Sequence, residues 1–468
     1  GTGEVFTPAT GSTYLLFGGN GVTKFKGHKY KHNRVTNANF SDGNTSTTNL
    51  IVTHAVYVDN VDDVCISWNR FNGVSGAAVF LRDNKSIRIN WNNVINSNWY
   101  NIHLSGGLDG FEVAHNYIEH NLEGGVYWGG GIDSMSQHNP KEERNINGDI
   151  HNNELVGKFA YGAVIRIMSN ENVKIRDNYL RDISYGNWGT GGGVTGIRVT
   201  TRGVASDGTD NGPCQNIEVT DNTIVSGLTG SNYHAGIYCD NAFQLSRVPF
   251  KNLKVTSNKV LSPDSSNFFH EGIIFSGREG GLEELYVYDN NVETKPKVSP
   301  IVDGAIGFLA ANAQGSINRV HIGGNKVRGL ETPTATYELG IGYGAYVDNV
   351  FQSRANTIDN FWFGVRTLTN AGSELDKIDD NSYKNIGSVD ELYTVFPSRY
   401  GRTLVNSVVA DPISLAPGAT TFIDVTVSGA KLGDRVGASF ELDNQGVIFT
   451  GYVRVANSCR VYLENKDN

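Results

Sequence analysis

The side chains best placed to break a bond are three carboxylates with distinctive neighbours. Asp240 ends the run Gly236-Ile-Tyr-Cys-Asp, and the run before it, Gly196-Ile-Arg-Val-Thr, carries Arg198 and Thr200 in the matching slots. If Ile197, Val199, Ile237 and Cys239 point inward, then Arg198, Tyr238 and Asp240 share the outer face. A carboxylate beside arginine and tyrosine suits a sugar cleft, where one carboxyl protonates the leaving oxygen and another acts as base or nucleophile. Glu271 follows His270 at the mouth of the next run and is placed to reach the same cleft. Glu218 is a rival on another sheet, between Lys174 and Lys254 in equivalent slots, and Glu279 and Asp303 are weaker candidates. For holding sugar, Trp188, Tyr233 and His234 in long insertions join Arg198 and Tyr238, because rings stack on sugar faces. Each catalytic candidate has a plain structural reading: Asp240 salt-bridged to Arg198, Glu271 a solvated turn residue, Glu218 a rung in a charge ladder. Asp240 also has only Thr200 and Ser276 as column neighbours, so its partner must come from a loop or another chain.

The elements that position these residues follow from a recurring phrase: apolar, two residues, asparagine, one residue, apolar. It reads Ile66-Ser-Trp-Asn69-Arg-Phe71, Ile89-Asn-Trp-Asn92-Asn-Val94 and Val113-Ala-His-Asn116-Tyr-Ile118. It continues through Asn153, Asn178, Asn222, Asn258, Asn290, Asn325 and Asn381, with looser copies at Asn33 and Asn356. The intervals have a floor of 23 residues (Asn69 to Asn92) and irregular excess, as in a solenoid of fixed coils with inserted loops. A second phrase, seen at Ala77-Ala-Val-Phe-Leu, Gly125-Val-Tyr-Trp, Ala163-Val-Ile-Arg-Ile and Gly272-Ile-Ile-Phe-Ser, alternates as short strands do. Units this short leave no room for crossover helices, so the chain reads as all-β, a parallel β-helix of about twelve coils. The asparagine is expected at a bend in the left-handed conformation, its amide bonding the amides above and below. Side chains one coil apart in a column are then about 5 Å apart, a retaining pair; two coils give about 10 Å, nearer an inverting pair.

Residues 1–29 are expected to cap the solenoid and 30–388 to carry the coils, over about 53 Å at 4.8 Å per strand. Residues 389–405 form a connector, and 406–468, where Thr420 to Val427 and Val447 to Val455 alternate, a small C-terminal β-sandwich. A domain that small has a thin core, which three chains joined side by side would supplement. Loops leave the coils at Trp128 to Gly148 (with Asp133), Tyr185 to Gly193, Arg202 to Asp210, Ser231 to His234 and Pro263 to Glu271. The Gly129 and Gly191 triplets are not phosphate loops, since no helix or lysine follows. The net charge of −9 disfavours nucleic acid, and no run of 18 apolar residues marks a membrane span. Cys65, Cys214, Cys239 and Cys459 match no zinc spacing; Cys65 and Cys239 are expected inward, as small hydrophobes. No metal or other cofactor is implied, Asp207 and Asp210 being too few for a calcium cluster. The opening Gly-Thr-Gly-Glu without a start methionine reads as a fragment lacking an upstream module.

With Asn-punctuated coils followed by Asp411-Pro-Ile-Ser-Leu-Ala-Pro-Gly-Ala-Thr-Thr and Gly429-Ala-Lys-Leu-Gly-Asp-Arg-Val-Gly-Ala-Ser-Phe, the chain resembles the bacteriophage tailspike depolymerases. The resemblance covers most of the chain. It implies a right-handed β-helix, a homotrimer joined through the terminal domain, and an N-terminal particle-binding domain that is absent here. It also implies location in the virion tail and endo-acting hydrolysis of bacterial surface polysaccharide. It supplies no catalytic positions. A polysaccharide lyase on the same fold, a non-catalytic glycan-binding adhesin and a cellular pectinase-like enzyme are the alternatives.

Overall fold

The computed structural model describes most of 54–367, together with 381–384, short strands between 5 and 38, and parts of 415–465. Outside the described residues lie 1–4, 7–15, 19–24, 27–28, 32, 39–53, 75, 98, 122–129, 136–143, 160–162, 186–193, 202–211, 228–234, 242–247, 278–279, 296–303, 311–314, 333–338, 345–346, 368–380, 385–414, 417, 428–434, 437–446 and 466–468. The chain divides into two units, Gly1–Val395 and Phe396–Asn468.

The first unit is a parallel β-helix. Each coil contributes one strand to each of three parallel sheets, which hold 13, 12 and 12 strands among the described residues. Sheet I includes Arg70–Val74, Asn93–Ile95 and Tyr117–His120; sheet II includes Val61–Ser67, Lys85–Asn90, Asp109–Ala114 and Ile146–His151; sheet III includes Val79–Arg82, Tyr100–Ser105 and Gly130–Met135. A coil runs through sheet III, then II, then I. Strands Val5–Phe6, Leu16–Gly18 and Phe25–Lys26 already pair in parallel with the coil that follows, so part of 1–29 belongs to the sheets. Alternation along each strand fills the interior with columns of β-branched residues. In sheet III, Ile102, Ile132, Ile165, Ile197, Ile237, Ile273, Ile306 and Ile341 lie in register and are fully buried.

The asparagines stand where sheet II bends into sheet I, and their amides form a continuous ladder. Asn92 Nδ2 donates to Asn116 Oδ1 (3.0 Å), Asn116 Nδ2 to Asn153 Oδ1 (2.9 Å) and Asn153 Nδ2 to Asn178 Oδ1 (2.9 Å), and so on from Asn33 to Asn381. Each Oδ1 also accepts the backbone N–H of the previous ladder asparagine, as Asn116 N does to Asn153 Oδ1 at 3.0 Å. The left-handed conformation belongs to the residue before the asparagine: Trp68, Trp91, His115, Asn152, Asp177, Asp221, Ser257 and Asp289 all have φ between 52° and 62°. The asparagine itself keeps ordinary backbone angles, because its amide must turn inward to meet its neighbours.

Two other expectations are corrected. The sheet III strand of the fourth interval is Gly130–Met135, with Ile132 beside Ile102, so Asp133 lies in a strand and not in a protruding loop. Cys65 faces outward, since Val64 and Ile66 take the inward slots of its strand; its Sγ lies 3.1 Å from Ser67 Oγ. In the second unit the described strands, Thr420–Thr426, Arg435–Val436, Val447–Val455 and Ser458–Asn465, form one antiparallel sheet. Val427, Val453 and Cys459 make its small core.

Candidate functional site

Trp188, Tyr233 and His234, with Glu279 and Asp303, lie outside the described residues. The others fall on two different sheets. Arg198 and Tyr238 lie on the outer side of sheet III in register with Asp133 and Arg166 of earlier coils; Asp240 lies two residues further along, opposite Thr200 and Ser276, and Glu271 begins its strand opposite Ala235. Asp240 is 1% exposed and Glu271 4% exposed, while Arg198 is partly open. Arg198 Nη2 donates to Asp240 Oδ2 at 3.1 Å, and its guanidinium lies 5.4 Å from the Tyr238 ring centre. The salt-bridge reading of Asp240 is therefore realised in the structure.

Asp240 and Glu271 are not brought together. Glu271 stands opposite Ala235, five residues before Asp240, which separates the two backbones by about 17 Å at roughly 3.3 Å per residue. That is well beyond the roughly 5–9.5 Å of either glycosidase geometry. Glu218, on sheet II, sits between Lys254 (2.9 Å) and Lys174 (3.6 Å) as a ladder rung. The Lys254 hydrogen bond is the main reason its carboxyl titrates below the usual range.

Sheet III also holds a buried charged group that the sequence does not announce. Arg166 Nε donates to Asp133 Oδ1 at 2.5 Å and Arg166 Nη2 to Tyr100 Oη at 2.6 Å. His103 Nδ1 lies 3.0 Å from Asp133 Oδ2. Burial alone would raise the Asp133 carboxyl, but Arg166 and His103 outweigh it and hold it below its ordinary value. Tyr57, Phe80 and Trp99 pack beside this group with His54, whose Nδ1 accepts the Ala77 N–H (3.1 Å). Burial, then His103, lowers the His54 pKa to about 3.

The geometry sought in sheet III occurs on the outer side of sheet II. Glu112 and Asp149 stand directly opposite each other on adjacent strands, one rung or about 4.8 Å apart. Among the described residues this is the one place where the strand registers oppose two carboxylates; the neighbouring rungs pair a carboxylate with a cation. Like charges directly opposite destabilise a sheet, so a pair set into an otherwise alternating column calls for a reason. Both are open to solvent, at 37% and 32%. Asn90 Nδ2 donates to Glu112 Oε2 at 3.2 Å, and His151 Nε2 lies 3.2 Å from Glu112 Oε1. Arg176 grips Asp149 Oδ2 through Nη2 (2.9 Å) and Nε (3.3 Å), while Asp149 Oδ1, shielded beneath, has no hydrogen-bond partner among the described residues.

Next to the pair runs an exposed aromatic stack. Trp68 and Trp91 are parallel with centres 5.1 Å apart; Trp91 and His115 are parallel at 4.2 Å; His115 meets His151 edge-on at 5.7 Å. Trp91 is 47% exposed, and all three stacked residues occupy the left-handed turn position filled at the other described coils by Asn, Asp, Ser, Gly or Ala. A bulky side chain there is uncommon, and such strain gathers at functional sites. His151 thus joins the stack to Glu112. The signal that finds this pair in sequence is a fixed offset: Glu112 precedes Asn116 by four residues, as Asp149 precedes Asn153 and Glu218 precedes Asn222.

No known family model matches the sequence, and no curated protein matches it. Among the described residues no group of three or more His, Cys, Asp or Glu is placed to hold a metal ion, and no helix is long and apolar enough to cross a membrane.

Proposed function

We propose that the chain is a polysaccharide-cleaving β-helix of the bacteriophage tailspike kind, which binds bacterial surface glycan and hydrolyses it internally. The observation that carries this reading is the opposed, solvent-open pair Glu112 and Asp149 beside the stack of Trp91 and His115. In the proposed reaction Asp149, oriented by Arg176, attacks the anomeric carbon as Glu112 gives a proton to the departing glycosidic oxygen. Water then attacks the glycosyl ester, Glu112 takes the water's proton, and Asp149 leaves. A separation of one rung suits this double displacement. The tailspike part of the proposal extends to a homotrimer on the virion tail. Exposed Phe422, Tyr452 and Val455 on the terminal sheet support it, as apolar area that neighbouring copies would cover.

The test is to incubate the protein with purified capsular polysaccharides and follow polymer mass, new reducing ends and ultraviolet absorbance. Shortened polymer with reducing ends and no new double bond supports hydrolysis. A new absorbing double bond would make the protein a lyase, and unchanged mass an adhesin. Glu112→Gln and Asp149→Asn should each lower the rate about 10²-fold or more while the fold persists. If only Asp240→Asn does so, the chemistry belongs to sheet III.

A further inference from the structure

The column that holds the carboxylate pair is bracketed by cations. Along the outer side of sheet II the residues in register are Arg88, Glu112, Asp149 and Lys174, one per coil. Arg88 is exposed and has no ion pair or hydrogen bond among the described residues. Lys174 is more than half exposed and only loosely engaged, 3.6 Å from Glu218. The nearer cation, Arg176, is already committed to Asp149 and Asp177. A glycan lying along the column, with its scissile bond over the pair, therefore meets an uncommitted positive charge one rung to one side and a weakly held one on the other. One rung is comparable with the span of a sugar ring, so each cation faces the sugar next to the scissile one.

From this arrangement we infer that the polymer is acidic, with carboxylate-bearing sugars flanking the cleaved linkage, and that Arg88 is the residue that selects it. This rests on the hydrolytic reading of Glu112 and Asp149 and adds the substrate class. The planar guanidinium of Arg88 matches a sugar carboxylate through two parallel hydrogen bonds, and Lys174 adds a point charge. The pair itself repels anions, so an acidic polymer needs a countercharge at this position. A neutral polymer needs none.

The experiment takes the full chain and a panel of purified bacterial capsular polysaccharides, each in three forms. These are the native polymer, the polymer with uronate carboxyls reduced to alcohols, and the polymer freed of pyruvate ketals by mild acid. Cleavage rates are compared for wild type, Arg88→Ala, Arg88→Lys and Lys174→Ala, with thermal melting as the folding control. The expected result is that wild type shortens acidic polymers, and that Arg88→Ala raises KM for the native form about tenfold or more. The preference for the native polymer over the forms lacking carboxylates should collapse by a similar factor, and added salt should mimic the mutation. Which modified form loses the preference tells uronate from pyruvate. Equal cleavage of native polymer and of the forms lacking carboxylates, or an unchanged KM in Arg88→Ala, overturns the inference and leaves hydrolysis standing. If no polymer is shortened, the hydrolytic reading fails and this one with it.

Discussion

Replacing Asn258 with alanine tests the ladder at an interior point, three coils beyond Asp149 and four beyond Glu112. Asn258 is fully buried, and its Oδ1 accepts the backbone N–H of Asn222 (3.1 Å) and Asn222 Nδ2 (3.0 Å). Its Nδ2 donates to Val219 O (2.8 Å), Thr256 O (3.0 Å) and Asn290 Oδ1 (3.0 Å). Some of these partners keep other bonds: Asn290 Oδ1 still receives Asn258 N, and Asn222 Nδ2 still reaches Ile175 O and Thr220 O. Two partners are hit hardest, the Asn222 N–H and the Val219 carbonyl, both on fully buried residues. At about 1–3 kcal/mol for each buried polar group left unsatisfied, Asn258→Ala should cost about 2–6 kcal/mol. Urea unfolding followed by circular dichroism, with refolding checked, reads this as a lower midpoint at unchanged slope. A loss below about 1 kcal/mol would refute the claim that the ladder holds the coils together, and the asparagines would then be no more than turn formers.

Three further expectations concern the charged groups. Cleavage by an opposed pair one rung apart should retain the anomeric configuration, which proton NMR of the first-formed product reads directly. Asp133→Asn should cost about 3–5 kcal/mol by leaving Arg166 buried without its counter-ion. Because the folded Asp133 pKa is depressed, its contribution is complete above the unfolded value of about 3.9 and is lost as pH falls through the folded value. His54 behaves similarly. It binds its proton near pH 6.5 when unfolded and only near about 3 when folded, so stability should fall as pH drops from 6.5 towards 3. His54→Gln should flatten that limb in a series of unfolding curves at stepped pH.

The ladder is legible in the sequence because one physical requirement, an amide bonding its copies at every coil, fixes one residue type at one offset. The same offset carries Glu112 and Asp149, four residues before Asn116 and Asn153. The long intervals from Asn178 to Asn258 draw attention away from them, to Arg198 and Asp240. Parity places Asp240 on an outer side, and does so rightly. It carries no information on what packs against that side, and Asp240 proves to be buried against a partly open Arg198. The strand at Gly130–Met135 escapes for a related reason: Gly125-Val-Tyr-Trp has the better local alternation, and it is register with Ile102 on the coil before that marks Gly130–Met135 as a strand.

Every amide in the ladder donates in one direction and accepts from the other. The stack therefore has a head and a tail, and the two ends pose different problems: Asn33 has an acceptor not filled by an earlier ladder asparagine, and Asn381 a donor with no later one. Between those ends each coil offers the next the surface it received from the last. A whole coil can thus be gained or lost without rewriting its neighbours, so the length of the molecule and the chemistry on its flanks are free to change independently over evolution.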